Sequence, residues 1–271
     1  MINNITIGKY LPTNSVLHRL DPRIKLIITI MMVVMTFFTM NYVSLMVITL
    51  LTFSFILLSK IPMKIYLKGF KFIFMVIFFT AILNLFFKSG EIIFQIGIIK
   101  ITKQGINSSI FIALRLLDLA VLSSVLTLTT MPTDLTYALE FLMKPLKRLK
   151  VDVSSLAMMI TITLRFIPTI FEETGKIMNA QKARGSDIES GNLKERISSL
   201  IPVFVPLFVS SFRRAYELAI AMESRCYMCN GRRTSMKIFK LQKRDAFASV
   251  FAVMLLVGMV IANVAFPGVA I

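Results

Sequence analysis

The sequence predicts an all-α, polytopic membrane protein with about five transmembrane helices and a helical cytoplasmic region inserted before the last span. Three observations carry this. Hydrophobic residues make up 56% of the 271, more than the roughly half of an ordinary soluble domain. The 31 Lys and Arg outnumber the 14 Asp and Glu for a net charge of +17, a surplus that suits an anionic leaflet or an acidic protein partner. Apolar runs of near-bilayer length alternate with basic segments until a polar and apolar stretch of more than a hundred residues intervenes. Nucleic acid, the other usual partner of so basic a chain, fits poorly with such runs. The expected division is 1–131 for the first spans, 132–245 for the inserted region, and 246–271 for the final span and tail.

The first 23 residues are polar and broken by Pro12 and Pro22, so no secretory signal peptide is expected there. A helix needs about 20 apolar residues to cross the hydrocarbon. Ile24 to Thr39 and Tyr42 to Leu58 approach that length and flank a Met40-Asn41 hinge, predicting a tight hairpin. Phe70 to Phe87 is the third span. Ile106 to Thr130 is the fourth, with Arg115 and Asp118 three residues apart and expected to neutralise each other on one face. Ala246 to Phe266 is the fifth.

Positive loops stay in the cytoplasm, so basic residues set the topology. Lys9, Arg19, Arg23 and Lys25 flank the first span, and Lys60, Lys64, Lys68 and Lys71 fill the loop before the third. Both are expected inside. The hinge at Met40-Asn41, the loop from Lys88 to Lys103 and the uncharged tail after Phe266 are expected outside. Residues 132–245 hold 19 basic and 11 acidic residues, and parity after four spans also places them inside. A multi-pass cell-membrane protein follows, with its N-terminus cytoplasmic and its C-terminus outside.

Within the inserted region, Leu135, Ala138, Leu139, Leu142, Leu146 and Leu149 recur at helical spacing, with acids early and bases late as the helix dipole favours. Pro145 is expected to kink that helix. Ser155 to Arg184 follows, with Gly185 suited to a C-terminal cap. Asn192 and Glu195 then have capping-box spacing. Leu156 to Phe171 and Leu200 to Phe212 are nearly as apolar as spans, but Arg165, Pro168, Pro202 and Pro206 are expected to break them. Helices lying along the inner membrane surface or packed on each other are the prediction. Inserting both as a hairpin would leave the parity unchanged.

Catalytic chemistry is missing. The phosphate-cradling pattern fails, since Gly8-Lys9 is followed by Tyr10 and Gly175-Lys176 by Ile177. One histidine, His18, offers no base beside a nucleophile. Cys226 and Cys229 lack the two further ligands that zinc needs. No enzyme activity, cofactor or metal is expected. What remains is a pair of arginines in similar settings, Ala183-Arg184-Gly185 and Ser224-Arg225-Cys226, each closing a helical stretch. Ordinary helix caps explain them as local geometry.

At these residues the chain resembles the transmembrane T component of energy-coupling factor (ECF) importers. The resemblance runs through Tyr10-Leu11-Pro12, then Ser15-x-Leu17-His18-x-Leu20-Asp21-Pro22-Arg23-x-Lys25-Leu26. It continues with Leu164-Arg165-Phe166-Ile167-Pro168 and Gln181-Lys182-Ala183-Arg184-Gly185. Ala221-Met222-Glu223, Arg225, Tyr227 and Gly231-Arg232-Arg233-Thr234 complete it. The departure is Ser224 and Cys226 around Arg225, where the family has Ala before the arginine and Gly or Ser after it, and a glycine cap is expected to be lost.

The resemblance implies a non-catalytic coupling subunit of an ATP-driven importer for vitamins. Its partners would be the lipid bilayer, two ABC-type ATPase subunits and a substrate-binding membrane S component. The ATPases would be met by Ala183, Arg184, Gly185, Ser224, Arg225 and Cys226. A guanidinium suits that contact because it is always charged and binds a carboxylate in a fixed fork. The S component would slide on Met158, Met159, Ile162, Phe166, Phe204 and Phe208, where flexible thioethers adapt to different partners. Two other readings stay open: a cobalt or nickel importer subunit of the same superfamily, and a basic scaffold binding anionic lipid.

Overall fold

In the computed structural model, residues 10–96, 99–186, 192–228 and 241–265 are described. The helices are α1 (Pro22–Phe38), α2 (Tyr42–Ser59), α3 (Met63–Gly69), α4 (Lys71–Phe87), α5 (Lys103–Thr129), α6 (Pro132–Met143), α7 (Val153–Ala183), α8 (Leu193–Glu223) and α9 (Lys243–Ala265). A short antiparallel hairpin, β1 (Ile92–Ile96) and β2 (Ile99–Thr102), joins α4 to α5. It is the departure from an all-helical chain among the described residues, and its Ile-rich strands have the β-branched composition that a pleated strand favours. Two compact units result. One unites Gly8–Leu142 with Phe239–Ile271, and the other contains Met143–Ile238.

In the first unit, hydrogen bonds fix the helix directions. Leu11 N–H donates to Leu128 O at 3.1 Å, and Lys25 Nζ donates to Thr129 O at 2.9 Å, so α1 starts where α5 ends. Tyr42 Oη donates to Asn107 O at 2.7 Å, placing the start of α2 beside the start of α5. Ser109 Oγ donates to Ala81 O at 2.9 Å, so α4 runs against α5. Asp21 N–H donates to Asp245 Oδ1 at 2.9 Å, and Asn263 Nδ2 donates to Phe38 O at 3.0 Å. These tie both ends of α9 to the matching ends of α1. Helices α1, α4 and α9 therefore run one way and α2 and α5 the other, the alternation that the five-span reading requires.

The N-terminal string acts as a clasp at one end of this bundle. Asp21 caps α1 by accepting from Arg23 N–H at 2.9 Å, with Pro22 in the first turn, where its missing N–H costs nothing. The Arg23 guanidinium bonds the Tyr137 hydroxyl and stacks 4.4 Å from the Tyr137 ring and 4.6 Å from Phe141, holding α6. His18 Nε2 donates to Leu11 O at 2.9 Å, while Nδ1 lies 2.7 Å from Ser15 Oγ. Partial burial pushes this imidazole below its ordinary pKa, against the smaller opposing effect of the Leu11 hydrogen bond.

Buried hydroxyls serve the helix seams. Thr36 donates to Met32 O at 2.8 Å and Thr129 to Val125 O at 2.7 Å, so small polar residues pack closely with their hydroxyls satisfied. Asp118, fully buried, accepts from Thr49 at 2.8 Å and Thr52 at 2.7 Å. Arg115 instead donates to Thr39 O and lies 4.8 Å from the Phe111 ring. The expected Arg115–Asp118 pair does not form, because each group finds closer partners on a neighbouring helix. Outside, Phe72, Met75, Phe78 and Phe79 of α4 are exposed, an apolar exterior that hydrocarbon suits and water does not.

Among the described residues, five helices are long and apolar enough to cross a membrane, α2, α5, α7, α8 and α9, with α3 and α4 a further bent pair at 58°. The count matches the expectation, but the membership differs. α1 and α4 have 17 residues each, about 25 Å of rise, and fall short on length. α7 and α8 qualify because they are not broken as predicted. Each is one helix of 31 residues, continuing through Pro168 in α7 and through Pro202 and Pro206 in α8. A proline removes one backbone bond, and the flanking turns carry the helix past it.

Candidate functional site

The second unit presents the two arginine motifs. At Pro145 the α-helix gives way to a 3-10 turn, Lys144–Leu149, where the kink was expected. Asp152 then caps α7 by accepting from Ser155 N–H at 3.2 Å. α7 and α8 pack antiparallel. Gln181 Nε2 donates to Pro202 O at 3.4 Å. Nearer the middle, Arg214 Nη2 donates to Glu173 Oε2 at 2.9 Å, and Ser210 donates to the other carboxylate oxygen. The guanidinium also lies 5.9 Å from the Phe166 ring.

Glu173, Ser210 and Arg214 therefore form a clamp across the hairpin. Sequence reasoning missed it, since the partners are 37 and 41 residues apart. The available signal was an acid and a base bordering the two apolar stretches.

Both motifs close their helices by the same hydrogen-bond pattern. After α7, Ser186 N–H donates to Gln181 O at 3.0 Å and Gly185 N–H to Lys182 O at 3.0 Å, with Gly185 at φ 83. After α8, Tyr227 N–H donates to Met222 O at 3.0 Å and Cys226 N–H to Glu223 O at 2.9 Å, with Cys226 at φ 56. This is the Schellman cap. Ala183 and Ser224 take its last helical position, Arg184 and Arg225 the cap, and Gly185 and Cys226 the left-handed residue. The expectation that the cap is lost with glycine is corrected: Cys226 adopts the glycine conformation and keeps both bonds.

The exposed guanidinia of Arg184 and Arg225 have no ion pair or side-chain hydrogen bond among the described residues. Because the helices are antiparallel, the two caps lie toward opposite ends of the hairpin. Arg184 follows Glu173 by eleven residues and Arg225 follows Arg214 by eleven, about 16 Å of helix in each direction from the clamp.

The predicted sliding surface falls at two levels. Phe204 and Phe208, both exposed, lie on α8 near the clamp, and Phe208 stacks 4.6 Å from Phe212. Met159 is exposed, and Met158, Ile162 and Phe166 are half-buried on α7. Met159 precedes Glu173 by fourteen residues, about 21 Å of helix. An exposed stripe through Ile197, Ile201, Phe204, Phe208, Phe212 and Ile220 follows one face of α8 at the spacing of a partner-binding helix. Cys229, Gly231-Arg232-Arg233-Thr234 and the final residues of the predicted fifth span lie outside the described residues, as does the side chain of Glu195.

Comparison with known proteins adds to this geometry. A family model described as cobalt transport protein matches residues 13–236. The chain is 46% identical to the energy-coupling factor transporter transmembrane protein of Ruminiclostridium cellulolyticum, over 98% of this chain and all of that one. It is 46% identical to the Clostridium kluyveri protein of the same name, over 94% of this chain and 95% of the other. The Bacillus subtilis protein of that name is 43% identical, over 94% and 97%.

Proposed function

The chain belongs to the family of energy-coupling factor transporter transmembrane proteins, and from that premise we propose that its α7–α8 hairpin transmits the motion of two ABC-type ATPase subunits to a substrate-binding S component. As a multi-pass membrane subunit of an ECF transporter it has no catalytic task of its own; ATP is hydrolysed on the partners. The observation that carries the reading is the pair of matching arginine caps, exposed and set to either side of the Glu173–Arg214 clamp.

Each cap presents one guanidinium to one ATPase protomer. Ala183 and Gly185 flank Arg184, and Ser224 and Cys226 flank Arg225, all small enough for close approach. Closure of the ATPase dimer on ATP draws the two helix ends together. The clamp lies between them and converts that movement into a change of angle between α7 and α8. The apolar residues Met158, Met159, Ile162, Phe166, Phe204 and Phe208 then carry the S component with them. The N-terminus and hairpin face the cytoplasm, and α9 ends outside.

The cargo belongs to the S component, and a vitamin is the reading that the N-terminal string favours. The second reading is a cobalt or nickel importer subunit, and the family model's description, which names cobalt, favours it. One experiment separates them: a pull-down of the tagged chain from solubilised native membranes, with mass spectrometry and an ATPase assay. Two ABC ATPases with several small membrane subunits are expected. One metal-binding membrane subunit selects the second reading. Recovery of the chain alone and inactive, where other complexes survive, overturns the coupling role.

A further inference from the structure

We infer that a groove in the first unit, between α1, α2, α5 and α9, holds one acyl chain of an anionic phospholipid whose headgroup binds Lys243 and Arg244. The groove has a volume of about 610 Å³, within the range of ligand sites. Met32, Phe55, Leu122, Phe251 and Leu255 form its walls, and Lys243 and Arg244 stand at one end. The apolar walls exclude a polar ligand, and the basic end selects an anion. A molecule with both characters is an anionic lipid.

Length and position agree. Leu255 follows Lys243 by twelve residues, about 18 Å of helix, close to the roughly 15 Å of hydrocarbon in one leaflet. The basic end lies where α1 and α9 begin, the end that also gathers Arg19, Arg23, Lys25 and Lys60 through the contacts of the N-terminal clasp. The positive-inside rule places that end in the cytoplasmic leaflet, where anionic lipids concentrate.

Lys243 and Arg244 are exposed and have no ion pair or side-chain hydrogen bond among the described residues. The neighbouring carboxylate, Asp245, is buried and directed to the N–H groups of Asp21 and Gln242. Lys25 lines the groove but is held by Thr129 and Thr130. Two cations in the first turn of α9 oppose the helix dipole, and a bound phosphate would offset that cost. The inference stands apart from the coupling role, since it uses none of α7 or α8.

The chain has no tryptophan, so a single Phe251→Trp substitution gives a clean reporter inside the groove. The full-length protein is placed in phosphatidylcholine vesicles containing a minor fraction of phosphatidylglycerol, with brominated acyl chains on one lipid or the other. Brominated phosphatidylglycerol is expected to quench Trp fluorescence with roughly tenfold stronger apparent affinity than brominated phosphatidylcholine, as two basic residues near a surface allow. Lys243→Gln with Arg244→Gln removes the excess. Phe79→Trp, equally far beyond Lys71 on the lipid-exposed α4, reports ordinary leaflet enrichment and shows a smaller excess that the double substitution leaves unchanged. Equal quenching by the two lipids at Phe251, an excess no larger than at Phe79, or an excess that survives the double substitution each overturns the proposal.

Discussion

The membrane unit and the α7–α8 hairpin are both built from apolar helices, yet they treat their apolar surface in opposite ways. In α2 and α5, 33% of the most apolar window is buried, against 11% in α7 and 6% in α8. The membrane unit closes its seams with threonine and serine hydroxyls and buries Asp118 among them. The hairpin buries Val153, Ala157 and Val203 and leaves Ile201, Phe204, Phe208 and Phe212 exposed. A helix with an uncovered apolar face either meets lipid or meets a protein, and the proposal assigns the protein on the strength of a charged clamp between two arginines that have no ion pair among the described residues. In the proposed function the membrane unit is the frame and the hairpin the part that moves.

The contrast breaks most severely in the frame. Thr52→Val leaves one Asp118 carboxylate oxygen without its donor in a fully buried site. A loss of about 2 kcal/mol is expected, since hydrogen bonds to carboxylates carry roughly 1.5–3, with a lowered midpoint in detergent-based thermal unfolding. ATPase association by the protein that remains folded should be unchanged.

The hairpin gives a smaller effect on stability and a larger one on function. Glu173 and Arg214 are 25% and 31% exposed, so solvent screens them, and a double-mutant cycle with Glu173→Ala and Arg214→Ala should give a coupling of about 1 kcal/mol or less. ATP hydrolysis by the assembled complex should persist while substrate uptake falls several-fold. Equal loss of both activities would mean that the clamp only holds the fold.

The two caps sharpen the comparison within the hairpin itself. Cys226 occupies a left-handed conformation that glycine adopts without steric cost, so Cys226→Gly should raise stability by about 1 kcal/mol. Gly185→Ala places a side chain at φ 83 and should lower stability by a similar amount. Chemical unfolding of the two variants in parallel checks the opposite signs.

The smallest effect belongs to the N-terminal clasp. Burial lowers the His18 pKa in the folded state, so the unfolded chain takes the proton more readily. Its contribution is present above the unfolded value, about 6.5, and is lost as pH falls through and below it. The wild-type thermal midpoint should therefore drop more between neutral and mildly acid pH than that of His18→Gln.

How far this was legible follows from the range of each interaction. Helices α2, α5 and α9 stood out because membrane insertion writes itself as continuous apolar runs, whereas α1 and α4 stop at 17 residues. The Gly185 cap was legible because its residues are adjacent. Arg115 and Asp118 misled, since three-residue spacing suggests a pair while their partners, Thr39, Thr49 and Thr52, come from other helices. Pro168, Pro202 and Pro206 suggested breaks because a local rule cannot see how the rest of a 31-residue helix carries each lost bond. Cys226 suggested a lost cap because residue type was read without backbone angle. The Glu173–Arg214 clamp left little local trace, being a meeting of residues 41 positions apart.

The proposed function makes the arginine caps the points where ATPase movement enters. Its most direct test is co-purification of the ATPase subunits with Arg184→Glu and Arg225→Glu, each measured beside substrate uptake in the same cells. Reversing a charge at a docking contact should weaken ATPase recovery by at least tenfold in each variant, with uptake lost in parallel and the membrane unit still folded. ATPase association and uptake both intact in Arg184→Glu would contradict the account.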